Sequence, residues 1–259
     1  MSSRTSGADV PPAGPARWGE PAIWHDVECA SYTADLELWR RLAVAAGGPV
    51  LELGAGTGRV ALDLAARGHA VWAIDSDPAL VSELSRRARE RRLAVRARAG
   101  DARALSLNRR FALVVAPMQV AQLLGGPAGR RAMLAAVRAH LDPGATLAIA
   151  LADPVEGMPA AEVLPPLPDV LEVGGWVYSS RPVAVRDAGA AIAIDRVREA
   201  VSPRGELRES AVTLLLDRVT PEELAAEATQ NGYRERERLR VPETEAYVGS
   251  DVLVLERIR

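Results

Sequence analysis

The chain has no lysine. All 32 basic residues among its 259 are arginine, which excludes a Schiff-base or lysine-base mechanism. Cys29 is the only cysteine, so neither a disulfide framework nor a cysteine-based zinc site can be built within one chain. No apolar run approaches the roughly 18 residues of a membrane span, and Met1 to Pro15 has no apolar signal core. Neither sign of charge is in excess: 34 acidic residues leave a net charge of −2. A large phosphate-binding surface, and with it a nucleic-acid partner, is not expected. The expectation is a soluble, cytoplasmic protein with no membrane contact, preceded by a disordered tail over residues 1–17 that is small, polar and rich in Pro and Gly.

The most informative stretch runs from Val50 to Arg59. Val50 to Leu53 is short and apolar, which predicts a buried strand. Gly54, Gly56 and Gly58 follow at every second position, and Val60 to Ala66 has an apolar helical pattern. Strand, glycine turn, helix is the predicted order. Each glycine lacks a Cβ, so backbone can approach a small molecule closely. The spacing is not that of a dinucleotide fingerprint, which wants a further glycine where Arg59 stands. Glu52 precedes the turn. Asp75 ends the next apolar strand, 21 residues after Gly54, where a doubly wound fold places a ribose-binding carboxylate.

Around this centre, Ile23 to Ala46 has helical spacing, stopped by Gly47-Gly48-Pro49. Asp77-Pro78 opens a helix to about Arg91. Leu93 to Ala99 predicts a strand near a sheet edge, and the unbroken Phe111 to Ala116 a central one. Gly125 opens another helix, and Thr146 to Leu151 predicts a fifth strand, ended by Asp153-Pro154. A Pro-rich loop, Val155 to Pro168, leads to three strands, Gly175–Arg186, Ala190–Val201 and Glu206–Asp217, joined as an antiparallel meander. Thr220-Pro221 starts a last helix, Asn231-Gly232 stops it, and Tyr233 to Val241 and Asp251 to Ile258 supply two final strands.

Glu52 with the three glycines, Asp75, and Asp101 after the third strand together resemble the class I S-adenosylmethionine-dependent methyltransferases. That resemblance implies an α/β fold: a doubly wound seven-stranded Rossmann-like sheet with an N-terminal helical lid and an antiparallel β insertion after the fifth strand. Residues 18–153 would form the lid and the cofactor-binding half, 154–219 the insertion that covers substrate or makes a homodimer contact, and 220–259 the closing helix and strands. The cofactor would be S-adenosyl-L-methionine. By resemblance, Glu52, Gly54, Ala55 and Gly56 hold its methionine end with Tyr32, Asp75 and Ser76 its ribose, and Asp101 and Ala102 its adenine, with Pro117 beside them. Trp24, Met118, Gln119, Gln122, Trp176 and Tyr178 would line the acceptor site. His25 is the candidate base.

Ala116-Pro117-Met118-Gln119 lacks the residues of DNA adenine methyltransferases, and no cysteine stands where cytosine C5 enzymes need one. Neither asparagine follows an aspartate, as a catechol-type metal pair would require. What remains is a small-molecule acceptor with an N, O or C nucleophile and no metal. The rival readings are a cyclase-like relative that binds the cofactor without methyl transfer, and a non-catalytic binding module.

Overall fold

The computed structural model describes residues 20–152, 167–244 and 247–258. The expected tail, the stop at Asp153-Pro154 and nearly all of the Pro-rich loop lie outside them. The helix predicted over Ile23–Ala46 is two helices, α1 (Glu20–Cys29) and α2 (Leu36–Ala46). The break spans residues 30–35. Asp35 stands at the start of α2, where its carboxylate accepts from Trp39 Nε1 (2.8 Å) and from both terminal nitrogens of Arg59. Tyr32 stays buried in the intervening elbow, which is why the apolar spacing runs on across the break. Gly47, at φ +62°, then ends α2 with its N–H on Ala43 O.

Strands and helices alternate from there: β1 (Val50–Leu53), α3 (Arg59–Ala66), β2 (Val71–Asp75), α4 (Pro78–Glu90), β3 (Val95–Ala99), β4 (Phe111–Ala116), α5 (Gly126–Ala139) and β5 (Leu141–Ala152). Four strands follow, β6 (Asp169–Val173), β7 (Trp176–Asp187), β8 (Ala191–Val201) and β9 (Leu207–Asp217). The chain closes with α6 (Pro221–Gln230), β10 (Tyr233–Val241) and β11 (Ser250–Arg257). Single 3-10 turns sit at Ala102–Ala104 and Val120–Leu123.

Seven strands form one sheet in the order β10-β11-β5-β4-β1-β2-β3. β1 to β5 are parallel, and β11 enters antiparallel between β5 and β10. The order reverses between β1 and β4, which opens a crevice at the carboxyl ends of these strands. Both faces are packed. Val50, Ala73, Leu113 and Val115 meet α2, α3 and α4 on one side, and Leu51, Leu53, Val114 and Leu147 meet α5 and α6 on the other. Burial on both faces explains why β1 and β4 are almost uninterruptedly apolar. Thr220 and Glu223 close a capping box that starts α6.

The strands inserted after β5 make a second, antiparallel sheet, β6-β7-β8-β9. β6 is an addition to the three strands expected; Asp169–Val173 is half-buried and alternating, a weak signal next to a Pro-rich stretch. A third apolar cluster, with Ile23, Trp24, Val27, Trp176 and Tyr178, joins α1 to this sheet.

Candidate functional site

The carboxyl ends of β1, β2, β3 and β4 bring the predicted residues to one edge of the large sheet. The glycine turn leaves β1 through three left-handed residues, Gly54 (φ +62°), Gly56 (φ +54°) and Gly58 (φ +99°). A Cβ on Gly56 would lie 2.0 Å from Nε2 of His25, and one on Gly54 would lie 2.5 Å from Cγ2 of Val120. Conformation and space thus both require glycine here. Ala55 is tied to β2 through its N–H on Ile74 O. Asp75 ends β2 with its carboxylate pinned: Oδ2 accepts from Gly56 N (2.8 Å) and Oδ1 from Asp77 N (2.9 Å). A carboxylate offers about four acceptor sites, so Asp75 keeps capacity for further donors. Ser76, next to it, is exposed.

Glu52 lies inside the sheet's α2–α3 side, among Ala73 and Val115. Burial pushes its carboxyl up to about 8, against the pull of the Arg59 cation. Its Oε2 has no hydrogen-bond partner among the described residues. The group is therefore neutral at pH 7 unless a positive charge arrives.

α1 lies on the glycine turn. Thr57 Oγ1 donates to Asp26 Oδ1 (2.6 Å) and lies 3.1 Å from Nδ1 of His25. Arg87 of α4 also bonds the Asp26 carboxylate through both terminal nitrogens and joins Glu83. Burial would raise the Asp26 carboxyl, but hydrogen bonds from His25, Arg87 and Thr57 outweigh it and hold it down at about 2. On its other side α1 presents Glu28, which accepts from Ser180 Oγ (2.7 Å) and Arg198 (2.8 and 3.0 Å) of the inserted sheet. His25 thus sits on the glycine turn.

Asp101 begins the Ala102–Ala104 turn and accepts from the Arg103 N–H (2.8 Å) as well as its guanidinium. That cation and that N–H hold its carboxyl below the usual range. After β4, Pro117 is buried, and Met118 adopts a left-handed φ of +56°, costly for a non-glycine residue and typical of a functional loop. Met118 and Gln119 line a narrow cleft of about 30 Å³ with Tyr32, Tyr247, Val248 and Ser250. The Tyr32 and Tyr247 rings pack at 4.9 Å.

Two expectations need correction. Gln122 does not offer its amide to an acceptor: it is buried, and its carboxamide exchanges two hydrogen bonds with the Ala152 backbone (2.8 and 2.9 Å), holding the 3-10 turn to the end of β5. Trp24, Trp176 and Tyr178 line a different cavity from that of Met118 and Gln119, with no lining residue in common. Sequence reading missed Asp35, Thr57, Tyr247 and the role of Arg59. Arg59 donates to Asp35 and to Tyr32 O, and its guanidinium stands 4.9 Å above the Tyr32 ring. Its place directly after the third glycine was the only available signal.

Residues 50–144 match the family model of a methyltransferase domain. The fold is shared with the sugar N-methyltransferase KedS8 from Streptoalloteichus sp. ATCC 53650, at 18% identity, 100% of this chain, 99% of that one and a TM-score of 0.74. It is shared also with SAM-bound CalS10, an amino pentose methyltransferase from Micromonospora echinaspora (23% identity, 88% and 92% covered, TM-score 0.68). The glycopeptide N-methyltransferase MtfA, complexed with S-adenosyl-L-homocysteine, is similar at 25% identity, with 86% and 87% covered and a TM-score of 0.58. No curated protein sequence matches the chain.

Proposed function

We propose that the chain is a class I S-adenosylmethionine-dependent methyltransferase whose acceptor is a small molecule attacking through an amine nitrogen. The observation that carries the reading is the joint placement of the glycine turn, Asp75 and the strained Met118 loop around one crevice. The cofactor supplies an electrophilic methyl on a sulfonium, itself an excellent leaving group. The residues present suit it. Asp75 keeps acceptor capacity for two ribose hydroxyls. Gly54 and Gly56 leave the turn without side chains, and Glu52 beside it holds a buried oxygen with no partner among the described residues. Asp101 and Ala102 stand one strand further, where an adenine edge would lie.

The protein's part in the reaction is alignment and exclusion of water. Met118 and Gln119, with Tyr32 and Tyr247 opposite, bound the cleft in which nucleophile and methyl would meet. A neutral amine attacks without a base, and the N-methyltransferases among the structural relatives favour this choice. It also agrees with His25, which is held against Thr57 on the glycine turn. A hydroxyl acceptor would instead need His25 to take a proton. His25→Ala with unchanged turnover across the pH range supports the amine, while loss of an alkaline plateau with retained cofactor affinity supports the hydroxyl.

The deciding experiment is calorimetric titration with S-adenosylmethionine and its demethylated product, with NAD as control, followed by mass screening of amino-bearing small molecules for one added methyl. Micromolar binding of the first two alone is expected. Asp75→Ala is expected to weaken both by about 1.5–3 kcal/mol; unchanged affinity removes Asp75 as the ribose ligand.

A further inference from the structure

A cavity of about 300 Å³ lies between the first turn of α1 and the ends of β7, β8 and β9. The register explains it. Tyr178, Ala200 and Arg208 stand in one row across the three strands, and the small Ala200 leaves a trough between two long side chains. The floor is aromatic. Tyr178 meets Trp24 edge-on at 5.4 Å and stacks on Trp176 at 6.1 Å. The volume is at the lower end of ligand pockets, roughly 300–1,000 Å³.

The rim is polar and balanced in charge: Arg198 and Arg208 against Glu20 and Glu209, with Ser210 between. Arg198 is committed to Glu28 and to the Trp24 face. Arg208 rests on the Trp176 ring at 5.3 Å, and no carboxylate among the described residues pairs with it. The side chains of Glu20, Glu209 and Ser210 likewise make no hydrogen bond among the described residues. Donor, acceptors and a hydroxyl are therefore left free around an apolar floor.

We infer that this cavity is a binding site for a neutral saccharide ring. A pyranose has an apolar C–H face to set against what the floor leaves uncovered of Tyr178 and Trp176, and equatorial hydroxyls that both donate and accept. Carboxylates take the donated protons, and the guanidinium meets the lone pairs. With Arg198 committed to Glu28, the rim keeps one free guanidinium against two carboxylates, which disfavours a phosphate ligand. A flat aromatic ligand would use the floor but leave the rim unsatisfied. The site is distinct from the cleft at Met118 and does not depend on methyl transfer.

Saturation-transfer NMR on the full chain, with the methyl glycosides of glucose, galactose, mannose and rhamnose, tests the assignment, with indole as the flat aromatic control. Millimolar binding of at least one glycoside is expected. Arg208→Ala, on an exposed strand end, is expected to weaken it by about tenfold or more, and Ala200→Leu to abolish it by filling the trough. Calorimetry with S-adenosylhomocysteine on both variants checks that the crevice is unaltered. No transfer to any glycoside, binding that survives both substitutions, or binding of indole alone overturns the proposal. Because the readout needs no acceptor, its failure and a failure of the methyl-transfer reading are separable.

Discussion

The two sheets are built on opposite terms. In the seven-stranded sheet, β1 and nearly all of β4 are buried on both faces, and the order of strands follows from apolar runs and punctuating glycines. In the four-stranded sheet, β9 is exposed along most of its length and Leu215 is 56% exposed. There the interactions are cross-strand: Arg186 with Asp195, Thr213 with Asp195, Arg196 with Asp169. The lesson is that the core holds its shape by burial, while the inserted sheet holds its shape by register and by α1, which docks one face of it.

Denaturant midpoints should break the comparison most sharply in the core. Leu113→Ala, at a position with no exposure, is expected to cost about 2–5 kcal/mol. Leu215→Ala in β9 should stay within about 0.5 kcal/mol; equal losses would mean that the inserted sheet is as tightly packed as the core. The next largest effect belongs to Glu52. Its folded carboxyl titrates near 8 rather than 4.5. Between those values the folded state keeps a proton that the unfolded state has lost, so stability falls as pH rises through this window. Glu52→Gln is expected to flatten that slope, gaining on the order of 2–4 kcal/mol over the wild type at pH 8. An unchanged slope would place the titration elsewhere.

Smaller losses sharpen the role of α1. Asp26→Ala is expected to cost about 1–3 kcal/mol, because Thr57 and Arg87 lose their shared acceptor while Arg87 retains Glu83. The Asp26 carboxyl is depressed from 3.8 to about 2, so its contribution is present above pH 4 and lost as pH falls through about 2. The variant should lack that acid limb in a pH-dependent melt. Glu28→Gln, at the half-buried contact to the inserted sheet, is expected to cost about 1 kcal/mol or less. A larger loss there than at Asp26 would make the insertion, not the glycine turn, the principal anchor of α1.

The legibility of the site followed the same division. Gly54, Gly56, Gly58, Asp75 and Asp101 were readable because each occupies a turn directly after a strand, where local conformation dictates residue type. Val50–Leu53 and Phe111–Ala116 were readable because two-sided burial leaves an apolar run. The tie between Asp35 and Arg59 was not, since the partners lie 24 residues apart. Tyr247 was not, since it reaches the cleft by packing on Tyr32 across most of the chain. Gln122 read as an acceptor-site residue because nothing local reveals that the Ala152 backbone takes its amide. The aromatic residues Trp24, Trp176 and Tyr178 read as one acceptor site because sequence shows residue type, not on which side of α1 each side chain falls.

α1 also carries a consequence for the order of assembly. It is only ten residues long, too short to persist as a helix alone in water. Its anchors are Thr57, Arg87, Ser180 and Arg198. The helix is translated before the turn it covers, yet its last partner is synthesised 170 residues later. Its docking is thus completed late, after the turn it covers and the sheet it supports have both been translated.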